Sequence, residues 1–252
     1  MDSSLPPITV IPSENQPEIA KSIKDLPVKK KPFVPSWVWW AMFLLLIFVG
    51  LYELGVFNVG EKPAVYLYPE HDMQVSVKVN VNGFIIRSIP DYNNGWNVYA
   101  TTSGLIDGKY DYLFYENTLN RLDAPKEGWV VRYDDLSSWF DAKLPELGLN
   151  DAESKEFKKY WLAKLPRKEY YQIGLLSDSF LKSDMDLIVE PKPDTVIRRI
   201  FCFKPLNEKK AIAEPTIPKV ERNGFTVVEW GGLMDLNPVD KALYNLESLL
   251  FN

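Results

Sequence analysis

The longest pattern in the chain is one that does not alternate. From Trp37 to Phe57, 21 residues run with a single charge, Glu53. At roughly 1.5 Å per residue this is about 31 Å of helix, close to the hydrocarbon thickness of a bilayer. A soluble helix of this length carries a polar stripe, and none interrupts the run before Tyr52. Trp37, Trp39 and Trp40 sit at one end, Leu45 in the middle, and Tyr52 and Phe57 near the other. Amphipathic rings at both ends suit the headgroup layers. The pattern predicts a single membrane-spanning helix over residues 36–57.

A second pattern, with period two, begins beyond it. In "QVSVKVNVNGFIIRSIP", Val75, Val77, Val79 and Val81 alternate with polar residues, as in a half-buried strand. Asn82-Gly83 follows, and the same turn grammar recurs at Asn94-Gly95 and Asp107-Gly108. Such dipeptides accept the positive φ of tight hairpins, so the spacing predicts consecutive antiparallel strands in one sheet. "YDYLFYE" at 110–116 has apolar residues on both faces and reads as a strand covered on both sides. "EYYQIGLL", "MDLIVEP", "DTVIRRIFCFKPL" and "GFTVVEWGG" add further strands, with Asn223-Gly224 as another hairpin candidate.

A third pattern has the helical period. Leu136, Trp139, Phe140, Leu144 and Leu147 share one face, with Gly148 as the stop. Asn150 and Glu153 then form a capping-box pattern ahead of Phe157, Tyr160, Trp161 and Leu165, and Pro166 ends the run. The two segments predict an αα-hairpin inserted over about 134–165. Near the C-terminus, Asn237 as cap and Pro238 at the first position predict an amphipathic helix over about 238–251. The expected fold class is α+β: a transmembrane helix, then an antiparallel β-sandwich-like domain over residues 58–252.

Flanking charge sets the expected topology. Lys21, Lys24, Lys29, Lys30 and Lys31 precede the span, and only Lys62 lies within the twenty residues after it. The positive-inside tendency places the N-terminus in the cytoplasm and residues 58–252 outside the cell membrane. The stretch lacks the short basic start and small-residue cleavage site of a secretory signal, so it is expected to stay as an anchor. Residues 1–35 are rich in proline, poor in aromatics and expected to be a disordered tail. The chain holds 29 Lys and Arg against 34 Asp and Glu, a net charge of −5. Five of each sign precede residue 58, so the external part keeps that balance. No basic stripe interleaves with aromatics, which argues against nucleic acid as a partner.

Several phrases carry a resemblance. "KPAVYLYPE" at 62–70, "PDYNNGW" at 90–96, "YDYLFYE", "LGLN" at 147–150, "PDTVIRRIFCFKPL" at 193–206 and "GFTVVEWGG" at 224–232 resemble a family of uncharacterised bacterial membrane-anchored envelope proteins. The similarity spans most of residues 62–232. It implies an exported context and transfers no functional residue.

The chemistry of individual residues points in few directions. His71 is the single histidine, which excludes an all-histidine metal site within one chain. No phrase marks a nucleophilic serine, and Cys202 lies in an apolar run that reads as packing. "SDSFLKSDMD" lacks the glycine and terminal glutamate of a calcium loop and reads as an acidic surface loop. No cofactor or metal is expected. Paired carboxylates for glycan hydrolysis would come from Glu229, Asp91 and Glu116. Glu229, between Val228 and Trp230, either sits among apolar neighbours with a raised pKa or points to solvent. Exposed aromatics would instead serve binding, with Trp96, Trp230 and Tyr244 as interaction candidates. The leading expectation is a non-enzymatic binding or assembly protein, in the bilayer through residues 36–57, that engages an envelope protein or cell-wall polymer. The alternative is an envelope glycan or peptidoglycan hydrolase.

Overall fold

The computed structural model describes residues 35–53, 58–237 and Asp240, with backbone alone at 47–49, 51–53, 58 and 59. Helix α1 covers Ser36–Glu53. Its described apolar side chains are widely exposed, Trp37, Trp40 and Leu46 each at 67 %. The stretch with described side chains up to Leu46 is shorter than a bilayer, and among the described residues no helix is long and apolar enough to cross a membrane. Phe57, the basic triplet Lys29–Lys31 and the tail before Pro35 lie outside the described residues.

The remaining described residues form a mixed α+β unit, mostly strands with few helices. The strands are β1 (Asn58–Tyr68), β2 (Met73–Val81), β3 (Ile85–Ile89), β4 (Trp96–Ala100), β5 (Leu113–Leu119) and β6 (Trp129–Arg132), followed by β7 (Tyr170–Leu175), β8 (Met185–Glu190), β9 (Thr195–Leu206) and β10 (Thr226–Met234). Between β6 and β7 lie helices α2 (Leu136–Glu146) and α3 (Asp151–Lys164), and a short α4 (Asp178–Asp184) precedes β8. Seven strands form one sheet in the order β3-β5-β1-β10-β9-β7-β6, and a second sheet of three has the order β4-β2-β8.

The layers follow from which side chains the larger sheet presents. All nine residues of β10 are buried, as a strand covered on both faces requires. Tyr66, Val228, Trp230, Phe201 and Phe203 pack against Phe140, Phe157 and Trp161 of the helical pair. On the opposite face, Leu67, Leu113, Ile200, Val227 and Leu233 meet Val75, Val77, Val98 and Val189 of the smaller sheet. The helical insert lies close on the sheet. A Cβ added to Gly232 would stand 2.6 Å from the Trp161 ring and 3.0 Å from the Phe201 carbonyl, so no larger residue fits.

The predictions for the inserted helical pair hold in detail. Leu136, Phe140 and Leu144 of α2 are buried, and Gly148 closes its end at φ 93°. Asn150 caps α3 through the full reciprocal box with Glu153. Asp240 N–H donates to Asn237 Oδ1 at 3.0 Å, the bond of an N-cap residue, and the rest of the expected C-terminal helix lies outside the described residues.

The hairpin predictions need correction. Asn82-Gly83 carries the chain from β2 in the smaller sheet to β3 in the larger one, and Asn94-Gly95 carries it back to β4. Alternation marks one buried face, but a turn dipeptide reverses the chain onto a facing sheet as readily as onto the same one. Asp107-Gly108 does form a tight turn with both φ values positive, closing the antiparallel bridge Ile106↔Tyr110. The sheet is not wholly antiparallel either, since β10 runs parallel to β9. Asn223-Gly224 therefore ends a crossover over residues 207–225, because adjacent parallel strands cannot be joined by a tight turn. "SDSFLKSDMD" is a helix and not a loop: Ser177 accepts from Phe180 N–H, and Phe180 and Leu181 enter the core.

Candidate binding cleft

The cleft begins with a proline. Pro63 lies within β1, a strand flanked by β5 and β10, and it has no N–H to donate to a ladder. The register slips there against both neighbours, and Lys62 takes φ 46°. The bulge delivers the Lys62 side chain to the helical face of the sheet. Its Nζ stands 4.9 Å from the Tyr160 ring centroid, 5.6 Å from that of Tyr112 and 5.7 Å from that of Trp230. Glu156 Oε1 lies 2.5 Å from the amine and also accepts from Tyr112 Oη at 3.3 Å. Glu156 and Tyr160 are one turn apart on α3, so one helical face supplies both the counter-charge and a wall.

The electrostatics follow from partial burial. Burial pushes the Glu156 carboxyl upward, but the hydrogen bond and charge of Lys62 outweigh it and hold the group below the usual carboxylate range. The Tyr112 hydroxyl is pushed up to about 12, first by burial and then by the Glu156 charge. Tyr160 moves upward for the same first reason, with Glu61 adding to it. Both phenols therefore stay protonated donors through the neutral range.

Around this caged lysine opens a cleft of about 410 Å³. Tyr110, Tyr112, Phe114 and Tyr160 supply aromatic wall, Lys62, Arg87 and Lys109 cations, and Asp111 and Glu116 acids, with Ile89 at the β3 side. Arg87 lies 5.7 Å from the Phe114 ring and opposite Glu116 in the β3–β5 register. Mixed aromatic and paired polar walls of this kind stack planar or sugar-like surfaces and hold polar groups at their edges.

The carboxylates singled out in the sequence do not converge. Glu116 lines the cleft, whereas Asp91 is exposed in the turn after β3. Glu229 is fully buried on the opposite face of the large sheet, so neither solvent exposure nor an unpaired apolar setting describes it. It accepts from Tyr115 Oη at 2.6 Å and from Arg198 Nε at 2.5 Å. Arg198 is its direct neighbour in the parallel register, and a guanidinium N–H goes on to the Met185 carbonyl at the start of β8. Burial and the Glu229 charge drive the Tyr115 hydroxyl well above its ordinary range. This is an internal tie between sheets with no access for substrate.

The aromatic candidates are corrected as well. Trp96 is 2 % exposed and donates to the Pro90 carbonyl, and Trp230 is fully buried against Phe157. Their rings fill the two cores, Trp96 from the inward face of β4 and Trp230 from β10, which is covered on both faces. Tyr244 lies outside the described residues. His71 is exposed, and Cys202 is buried within β9, its thiol pushed up to about 12 by burial. Among the described residues no cluster of His, Cys, Asp or Glu is arranged to hold a metal ion. Lys62, Glu156 and Arg198 escaped the sequence-based expectations; the one available signal was Pro63, directly before the strand-like "AVYLY" run at 64–68.

No family model matches the chain, and no solved structure does. An uncharacterized protein in the bglA 3' region of Butyrivibrio fibrisolvens is 44 % identical over 61 residues. The matched part is 22 % of this chain and 64 % of that protein's length.

Proposed function

We propose that the protein is a single-pass, membrane-anchored binding or assembly protein of the bacterial envelope, with its N-terminus in the cytoplasm and residues 58–252 outside. The observation that carries this reading is α1, whose described apolar side chains from Met42 to Leu46 are all half or more exposed. In water, an apolar surface of that kind on every side of a helix is unfavourable by about 25 cal/mol per Å². A bilayer removes the cost once the run extends over residues 36–57, and the lysines before it favour a cytoplasmic start. The cleft between Tyr110, Tyr112 and Tyr160 is the contact for a polymer or protein of the envelope. Binding is favoured over hydrolysis because Glu116 and Glu229 lie on opposite faces of the sheet.

A fusion of alkaline phosphatase to the C-terminus of the full chain tests the topology. Activity in intact cells, with the protein resisting alkaline extraction from membranes, is the expected result. An inactive fusion or a protein released by alkali overturns the topology. Titration of the detergent-solubilised chain with soluble cell-wall glycan tests the cleft: Tyr110→Ala is expected to weaken binding about tenfold, as loss of a stacking ring does. Equal binding by the variant overturns the cleft as the contact.

A further inference from the structure

Strand β3 ends the large sheet: β5 pairs with one side, and among the described residues no strand pairs with the other. On that other side runs a groove of about 770 Å³, bounded by Gly83–Ser88 and by the last residues of β2, Lys78–Val81. It contains no residue of β5, so the unpaired edge of β3 faces it. The β2 border is open for a related reason. β4 pairs with β2 only over Met73–Val77, and β8 takes the opposite side over Ser76–Val81. One side chain closes the gap: Tyr92 Oη accepts from Val79 N–H at 3.0 Å and donates to the Val79 carbonyl at 3.1 Å. A phenol there does the work of a missing strand, and its ring is braced on Trp96 at 4.7 Å. Among the described residues the β3 border has no such plug.

The side chains along β3 are those of an interface. Phe84, just before β3, is 60 % exposed and Ile86 within it 43 % exposed, beside the charged Arg87 and at a shift of register against β5. The groove has a clear charge bias. Of its 12 lining residues, Lys78 and Arg87 are cationic and none is acidic, in a chain of net charge −5.

We propose that β3 is a docking edge, and that its occupant is an extended segment of a partner protein with alternating apolar and acidic residues. The segment adds a strand to the large sheet, its backbone bonding to β3, its apolar side chains on Phe84 and Ile86 and its acids towards Lys78 and Arg87. This rests on the binding role proposed above and adds to its cleft a second contact, at the β3 edge, for a partner of stated chemistry. The outer edge at β6 offers a contrast: Gly128 N–H donates to the Ala213 carbonyl and Trp129 Nε1 to Glu214, so the 207–225 crossover already occupies it.

The test uses full-length protein in detergent and three labelled synthetic peptides: alternating valine and glutamate, alternating valine and lysine, and the acidic peptide methylated on every backbone nitrogen. Fluorescence anisotropy is expected to give at least tenfold tighter binding of the acidic peptide than of the basic one. Backbone methylation is expected to abolish binding, and Phe84→Ala with Ile86→Ala to weaken it about tenfold. Lys78→Glu with Arg87→Glu is expected to reverse the preference towards the lysine peptide; because both groups are at the surface, circular dichroism checks that the variant folds. Equal binding of the two charges, indifference to methylation, or no binding at millimolar peptide overturns the proposal. Sedimentation that shows a dimer dispersed by Ile86→Lys also overturns it, since the occupant is then a second copy. These outcomes are independent of the phosphatase fusion, so a wrong topology and a wrong docking edge fail in different experiments.

Discussion

On the face of the large sheet that meets α2 and α3, the centre of the packing is a cluster of rings, with the Lys62–Glu156 pair and the bond from Arg199 to the Leu147 carbonyl as further ties. Phe157 lies 4.6 Å from Phe201 and 5.3 Å from both Phe140 and Trp230, and Trp161 lies 4.5 Å from Phe203. On the other face the side chains are mostly aliphatic, and the ties to the smaller sheet are polar. Arg198 joins Glu229 to the Met185 carbonyl, and Asp184 receives Arg121, Asn82 and Ser183. These bonds gather at the start of β8. The helical layer can slide over a broad apolar surface unless shape stops it, and interlocked aromatic rings supply that shape. A sheet of only three strands offers less area, so directional bonds fix its position instead.

Substitutions separate the two modes. Phe157→Ala removes the centre of the ring cluster and is expected to cost about 3–5 kcal/mol, near 10 °C in melting temperature for a domain of this size. Arg198→Leu leaves Glu229 buried without its cation and is expected to cost about 3 kcal/mol. Here the faces diverge: adding Glu229→Leu to Arg198→Leu is expected to restore most of the loss, because an apolar pair can replace a buried ion pair. No second ring deletion restores Phe157→Ala. If the double variant melts no higher than Arg198→Leu alone, the polar ties contribute stability that apolar contact cannot replace, and the contrast between faces fails.

Smaller effects sharpen the picture. Arg222 clips the 207–225 crossover to the helical layer through Glu153 and the Gly148 carbonyl, with its side chain 26 % exposed. Arg222→Ala is expected to cost about 1–2 kcal/mol in urea unfolding, since Glu153 keeps its cap bond to Asn150 N–H. Asp184 yields the least. Arg121, Ser183 and Asn82 lower its pKa from 3.8 to about 2, against a smaller opposing push from burial. A depressed carboxyl stabilises the fold above its unfolded pKa and loses that contribution as pH falls through the folded value. Melting temperature is therefore expected to drop between pH 4 and pH 2, and Asp184→Asn to flatten that part of the profile by a few degrees.

Local grammar was readable in the residues, and pairing at a distance was not. The valine alternation of β2, the apolar stripe of α2 and the box between Asn150 and Glu153 are each set by residues a few positions apart, so spacing alone places them. Asn82-Gly83 specifies a reversal and carries no information about which sheet receives the next strand. Glu229 found its partner 31 positions away on a parallel neighbour, a relation that no short window contains. For Trp96 and Trp230, composition promised large rings, while the inward face of β4 and the burial of β10 on both faces decided where they point. Lys62 is the intermediate case: Pro63 announces an interruption, but only the packed α3 shows that the displaced amine lands among Tyr112, Tyr160 and Glu156.

The burial of Cys202 has a practical consequence. It is the sole thiol of the chain, 4 % exposed and raised to about 12, so at neutral pH almost none of it is the nucleophilic thiolate. The wild-type sequence is thus a ready background for site-directed labelling. A cysteine introduced at Phe84, Tyr110 or Asp91 would be the one group to react with maleimide, so a single dye or crosslinker could be placed beside the groove or the cleft without first removing the native residue.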